Sequence, residues 1–391
     1  MADNSDALEA QPPSEAPEAT CSQAEGETVV ENKIGLLGPP RGYFGTVCSR
    51  GVQKMVREEV LLRLQSTEPA FMQGKCFFTT DLQPSAPEFR SVRSVERIFL
   101  CLARENASEF KEVSSDKLAA LAQMEKALVE MVPWEEMLRW WRAFTGEEST
   151  SGTGGAHEIT FKVKCNRSGK KAAHVGSEEI AGRIGRVLRE KFGWKVDLKK
   201  GKLEIFVYIT DDCWIAGIPV LRQPIVAGGQ IVHSGLHPTV SWALARAGGI
   251  EPGDVVCDPM CGRGVILVEA ARHWPDATYL GVDVDMEQVA AARDNIAQAG
   301  IATHTCVMHA DCAVLPVRDA SVDVLVCDLP FGKQHGTVEG NKELYPRVLS
   351  EAARVVRPGG RAVLLTSDTN ADTLLQQVGP GGIQHSLGHW E

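Results

Sequence analysis

Residues Val255 to Glu269, VVCDPMCGRGVILVE, constrain this chain more than any other stretch: a short apolar run stops at an acid, turns through two glycines and resumes as an apolar, helical pattern. That order predicts a strand, a tight loop and a helix start. Gly262 and Gly264 let the backbone turn sharply and approach a ligand closely, while the first turn of the new helix presents unpaired N–H groups to it. A nucleoside-like cofactor fits such a loop. Without a third spaced glycine the pattern does not say which one, so the discrimination has to come from downstream.

Downstream, ATYLGVDVD reads as a second apolar strand ending in acids, about 20 residues past the glycine turn. This spacing puts Asp283 where both hydroxyls of a ribose can donate to it, a feature shared by nicotinamide cofactors and S-adenosylmethionine. The next strand, VDVLVCDLPFG, separates them. It ends at Asp328, followed by Leu329, Pro330 and Phe331, at the carboxyl edge of an open α/β sheet where ligands collect. An acid followed by two residues and an aromatic ring resembles the loop of methyltransferases that modify exocyclic or amide nitrogens, and hydride transfer has no use for it. Asp285 reads as a helix cap rather than a ligand. Glu269 is expected to face either the cofactor or solvent. Cys327 lies within a strand with no base beside it, which argues against a thiolate nucleophile.

Upstream, composition changes twice. Of the net charge of −10, the segment from Met1 to Lys33 carries −7, with eight acids against one lysine, so the remainder is close to neutral. Residues 1–40, rich in Glu, Ala, Ser and Pro, are expected to be a disordered acidic tail. Residues 42–145 read as a small α+β unit plus a helical connection over Ser114 to Phe144, in which Trp134, Trp140 and Trp141 are assigned to packing between modules rather than to RNA stacking. A Ser/Thr/Gly link at Glu147 to Gly155 leads into residues 157–222, which alternate strand, helix, strand, strand. Thirteen Lys and Arg face five acids between Glu158 and Lys202, a local +8 within an acidic protein. Lys162, Lys164, Arg167, Lys170 and Lys171 crowd one strand end and its loop, an electrostatic footprint suited to a phosphate backbone. The eleven cysteines are scattered without a CxxC pair, so no metal site is expected. No stretch is long and apolar enough to span a membrane, and no secretory leader is recognisable.

The blocks FKVKCNRSGKK and FGWKVDLKKGKLEIFVYI resemble the THUMP domain, an RNA-binding module preceded in its family by a ferredoxin-like subdomain. DPMCG with CDLPFGK resembles the catalytic domain of THUMP-linked RNA guanine-N2 methyltransferases. The resemblance implies an α/β fold: a Rossmann-like class I S-adenosylmethionine-dependent methyltransferase domain over residues 231–391, preceded by a THUMP domain and an α+β ferredoxin-like subdomain. It implies that Asp258, Gly262 and Gly264 surround the methionyl part of S-adenosylmethionine, Asp283 its ribose and Asp311 its adenine. It assigns Asp328 and the Leu329 carbonyl to the target amine and Phe331 to stacking on the base, with Pro330 completing the loop. Leu329 stands where many nitrogen methyltransferases have proline. The substrate implied is a structured RNA, U6 spliceosomal snRNA first and the tRNA acceptor stem as the alternative. A small zinc-binding activator subunit is the implied partner, and the nucleus, with the cytoplasm second, the implied compartment.

Two other readings share these residues: amide methylation on protein, which leaves the basic segment unexplained, and an RNA-binding protein with an inactive catalytic half. The second draws on the chain's end, where GIQHSLGHWE leaves room for at most one further strand. A sheet of this class without its final hairpin is expected to lack an interior strand.

Overall fold

The computed structural model describes residues 42–47, 50–105, 117–146, 159–168, 176–210, 213–222, 231–332 and 336–377. The acidic tail, the Glu147 to Gly155 link, Lys170, Lys171 and the final residues 378–391 lie outside them.

The first half builds one eight-stranded sheet. Its strands are β1 (Gly42–Thr46), β2 (Ala70–Met72), β3 (Lys75–Thr79), β4 (Arg97–Glu105), β5 (Thr160–Arg167), β6 (Lys195–Val196), β7 (Leu203–Ile209) and β8 (Trp214–Arg222), in the order β2-β3-β1-β4-β8-β7-β5-β6. The sequence divides this region into two modules, yet β4 and β8 pair antiparallel from Arg97↔Arg222 to Glu105↔Trp214 and fuse them. Each strand would otherwise expose an unpaired edge, and joining them satisfies both.

One face of this sheet carries α1 (Gln53–Leu64), α2 (Glu88–Ser91), α3 (Lys117–Lys126), α4 (Trp134–Thr145) and α5 (Ser177–Phe192). The single helix expected over Ser114 to Phe144 is broken: α3 loosens into a π-helical turn at Ala127–Met131, and Pro133 separates it from α4. Trp134 and Trp141 are buried, and Trp134 packs edge-on against Trp194 at 5.0 Å, in keeping with the packing role. The opposite face is aromatic, with Phe44, Phe77, Phe99 and Phe206 in contact and Lys75, Arg97, Arg104 and Lys164 over the rings of this cluster.

The second half is an all-parallel five-stranded sheet of β9 (Val255–Asp258), β10 (Thr278–Asp283), β11 (Thr305–His309), β12 (Val322–Asp328) and β13 (Val356–Leu365). Their order is β11-β10-β9-β12-β13. It is flanked by α6 (Pro238–Ala247), α7 (Val265–His273), α8 (Met286–Ala299), α9 (Val338–Val355) and α10 (Asp368–Gln377). Parallel strands buried on both faces need near-continuous apolar runs, and β12 supplies one with Val322, Val324, Leu325, Val326 and Cys327 all buried. The expected interior gap is absent among the described residues, because all five strands are contiguous. β13 forms the edge on its side. Among the described residues no helix is long and apolar enough to cross a membrane.

Candidate active site

The strand order reverses beside β9, and the carboxyl ends of β9, β10, β11 and β12 bring Asp258, Asp283, Asp311 and Asp328 to one edge. Register makes the grouping explicit: Asp258 pairs with Gly281, Cys257 with both Leu280 and Leu325, and Asp283 with His309. This edge is the crevice where open α/β sheets bind ligands.

The glycine loop has the conformation its residues foretell. Gly262 and Gly264 both lie at positive φ, +50° and +70°, which side-chain-bearing residues rarely adopt. A Cβ on Gly264 would also press on Ala292 of α8 at 3.2 Å. The Gly262 N–H donates to Asp283 Oδ2 at 2.8 Å, and the Asp285 N–H donates to Oδ1 at 2.9 Å. Asp283 thus ties the loop to the next strand. Asp285 caps α8 by accepting from the Glu287 N–H at 2.8 Å, as its position predicts.

Asp258 is fully buried. Its Oδ1 accepts from the Met260 N–H at 3.2 Å, and its Oδ2 has no partner. Burial pushes its carboxyl well above the usual range, and the neighbouring Asp328 and Asp283 push the same way. An orphaned, buried carboxyl oxygen beside two glycines at positive φ is an acceptor-and-cradle arrangement that a cationic, nucleoside-bearing cofactor such as S-adenosylmethionine fits. Asp311 is half-exposed, accepts from the Ala313 N–H at 2.9 Å and pairs with Arg347 at 3.2 Å. The Ala313 N–H holds its carboxyl below the ordinary value, with Arg347 adding to the effect.

The loop after β12 is anchored at both ends. The Leu329 N–H donates to the Leu365 carbonyl at 2.9 Å, and the Leu329 side chain is buried. The Pro330 carbonyl accepts from Asn341 Nδ2 at 2.7 Å and from the Tyr345 hydroxyl at 2.9 Å. Phe331 is half-buried against the core. Cys327 is fully buried and its thiol is pushed far up, chiefly by desolvation, so it carries no thiolate.

Three departures from the sequence reading are informative. Glu269 of α7 faces neither cofactor nor solvent: it is fully buried and binds the Arg93 guanidinium at 2.5 Å, with His273 Nε2 at 3.2 Å. Arg93 in turn is held by the Glu59 carboxylate, which accepts the Arg93 and Ser94 N–H groups. Lys162 and Lys164 both pair with Glu204, at 2.6 and 3.2 Å, so part of the basic segment is internally neutralised. Arg183 pairs with Glu125 at 2.6 Å, whereas exposed Arg167 donates to Ser177. The sequence reading missed Asn295, whose buried amide binds Val232, His233 and Arg263 backbone and so ties the α6 entry to the glycine loop. A lone amide on the apolar face of α8 was its only signal.

With this geometry in place, the comparisons are specific. Residues 230–377 match the family model described as RMKL-like, methyltransferase domain, and residues 135–216 match the THUMP domain, starting at α4. The chain thus carries a THUMP domain followed by an RMKL-like methyltransferase domain. Along most of its length it resembles U6 snRNA (guanine-N(2))-methyltransferase THUMPD2. The Bos taurus protein is 29% identical over 89% of this chain and 83% of its own length, and the Homo sapiens protein 29% over 85% and 80%. The Mus musculus tRNA (guanine(6)-N(2))-methyltransferase THUMP3 is 37% identical over 54% of this chain and 45% of its own length. The crystal structure of TrmN from Thermus thermophilus shares the fold, with a TM-score of 0.65 and 24% identity over 88% of this chain and 94% of that one.

Proposed function

We propose that the protein transfers a methyl group from S-adenosylmethionine to the exocyclic N2 of a guanosine in structured RNA, with U6 snRNA as the substrate. The observation that carries this reading is the placement of Asp328 and the Leu329 to Phe331 loop beside Asp258 and Asp283, in a chain that also holds a THUMP domain. When bound, the cofactor supplies an electrophilic methyl group on a sulfonium. Asp258, Gly262 and Gly264 hold its methionyl part, Asp283 its ribose and Asp311 its adenine amine.

The guanine amine is a weak nucleophile because its lone pair is delocalised into the ring. The chain's contribution is therefore positioning. The Asp328 carboxylate and the Leu329 carbonyl accept the two N–H groups of the amine and fix the nitrogen. Phe331 stacks on a base extruded from its helix. Lys162, Lys164, Arg167, Lys170 and Lys171 hold the RNA backbone, a role supported by the excess of positive charge in that segment. Two of these lysines pair with Glu204, which favours Arg167, Lys170 and Lys171 as the larger contributors.

The tRNA acceptor stem is the second reading, favoured by the higher identity to the THUMP3 proteins over half of the chain. A zinc-binding activator subunit and a nuclear location complete the proposal. The test is radiolabelled methyl transfer to U6 and tRNA transcripts with the activator present. The Asp328→Ala protein should lose transfer by about 100-fold or more while binding S-adenosylmethionine within a few-fold of the parent. Equal incorporation by parent and variant would refute the assignment.

A further inference from the structure

Behind the loop that follows β12 lies a set of buried polar side chains to which the sequence pattern assigns no role. Asn341 and Tyr345 of α9 are 1% and 0% exposed, and both donate to one atom, the Pro330 carbonyl. Since a tyrosine hydroxyl has one proton and Tyr345 uses it on Pro330, Thr366 Oγ1, 2.7 Å away, is the donor to Tyr345. Asn370 of α10, 2% exposed, donates to the Phe331 carbonyl at 3.3 Å and to Ser367 Oγ at 3.1 Å. The loop's turn is sterically committed as well: Gly332 lies at φ +78°, and a Cβ there would meet the Val338 N at 2.6 Å. Two successive carbonyls of a surface loop are thus held by three buried side chains from two later helices. Burying polar side chains costs stability unless they are hydrogen-bonded, as these three are, and loops ordinarily leave such carbonyls to water.

We propose that Tyr345, Asn341 and Asn370 are positioning residues for methyl transfer: they occupy the Pro330 and Phe331 carbonyls and so fix the plane of the loop that presents the Leu329 carbonyl and Asp328 to the target amine. For what the loop holds, the inference rests on the guanine-N2 reading. For the clamp itself it rests on these hydrogen bonds.

Tyr345→Phe keeps the ring and removes a single hydroxyl. Its single-turnover methyl-transfer rate should fall by about tenfold or more, with the S-adenosylmethionine and RNA dissociation constants within about twofold of the parent. Hydrogen exchange at the Phe331 and Gly332 amides should accelerate while exchange in β9 and β12 stays unchanged. Thr366→Val, which removes one of the donors to Tyr345 and leaves Asn370 beside it, should show the same pattern more weakly, and it replaces Tyr345→Phe if that variant does not fold. An unchanged rate with unchanged loop exchange overturns the proposal. A rate loss matched by weaker cofactor binding and by faster exchange throughout the domain also overturns it, since that is a general structural defect. If the parent itself transfers no methyl group to RNA, the functional reading fails, and the exchange comparison alone still decides whether the clamp exists.

Discussion

Asp258 concentrates the residue-scale argument. Its carboxyl is pushed up by burial, so in the free protein it holds a proton over a pH range where an exposed aspartate has lost it. The folded form then binds one more proton than the unfolded chain, and stability falls as pH rises from the ordinary carboxyl range to the elevated folded value. Binding a cofactor that carries an ammonium group favours the ionised carboxylate and expels that proton. S-adenosylmethionine affinity should therefore rise with pH across the same window, and Asp258→Asn should flatten the slope. Calorimetry in two buffers of different ionisation enthalpy checks this directly, and a pH-independent affinity in the parent would contradict it. Asp258, Asp283 and Asp328 were legible in the sequence as acids that close apolar strand runs, whereas Asp311 was assigned only by the resemblance. Asn341, Tyr345 and Asn370 were not legible, because their role depends on where two later helices fold back, which no local spacing encodes.

The buried ion pair between the N-terminal sheet's connecting segment and α7 dominates at the scale of elements. Desolvation alone would raise the Glu269 carboxyl, but the hydrogen bond from His273 and the Arg93 guanidinium outweigh it and hold the group below its ordinary value. A depressed carboxylate contributes stability that is present above the unfolded value and lost as pH falls through the folded one. Arg93→Ala leaves Glu269 buried without its cation and should cost about 3–5 kcal/mol, read as a lower midpoint in urea unfolding. Glu269→Gln leaves the buried Arg93 guanidinium without the Glu269 carboxylate in turn, and should also lower the midpoint. Because α7 begins at the glycine loop, the Arg93→Ala loss should also weaken cofactor binding. Element boundaries were largely predictable here: Pro238 opens α6 at N1 after His237, whose ring accepts from the Thr239 N–H. The break at Pro133 was visible as a proline, but the π-helical turn before it was not, because the apolar spacing of α3 runs on without interruption.

For the molecule as a whole, the sequence reading separated an RNA-binding half from a catalytic half but did not foresee one sheet spanning β2 to β6. Strand edges carry no partner information, so the β4–β8 pairing was invisible until the fold was assembled. RNA binding should depend on the basic residues that follow β5 in the sequence. Replacing Lys170 and Lys171 together by Ala should weaken RNA binding uniformly across sequences and reduce the magnitude of the salt-dependence slope by about 2. An unchanged slope in a filter-binding titration would move the RNA contact elsewhere. The central claim, however, concerns one atom of the substrate. The most direct test uses two U6 transcripts, one with guanosine and one with inosine, which lacks only the exocyclic amine. Methyl transfer should yield N2-methylguanosine in the first by nucleoside mass spectrometry and nothing in the second. Equal methylation of both transcripts would contradict the account.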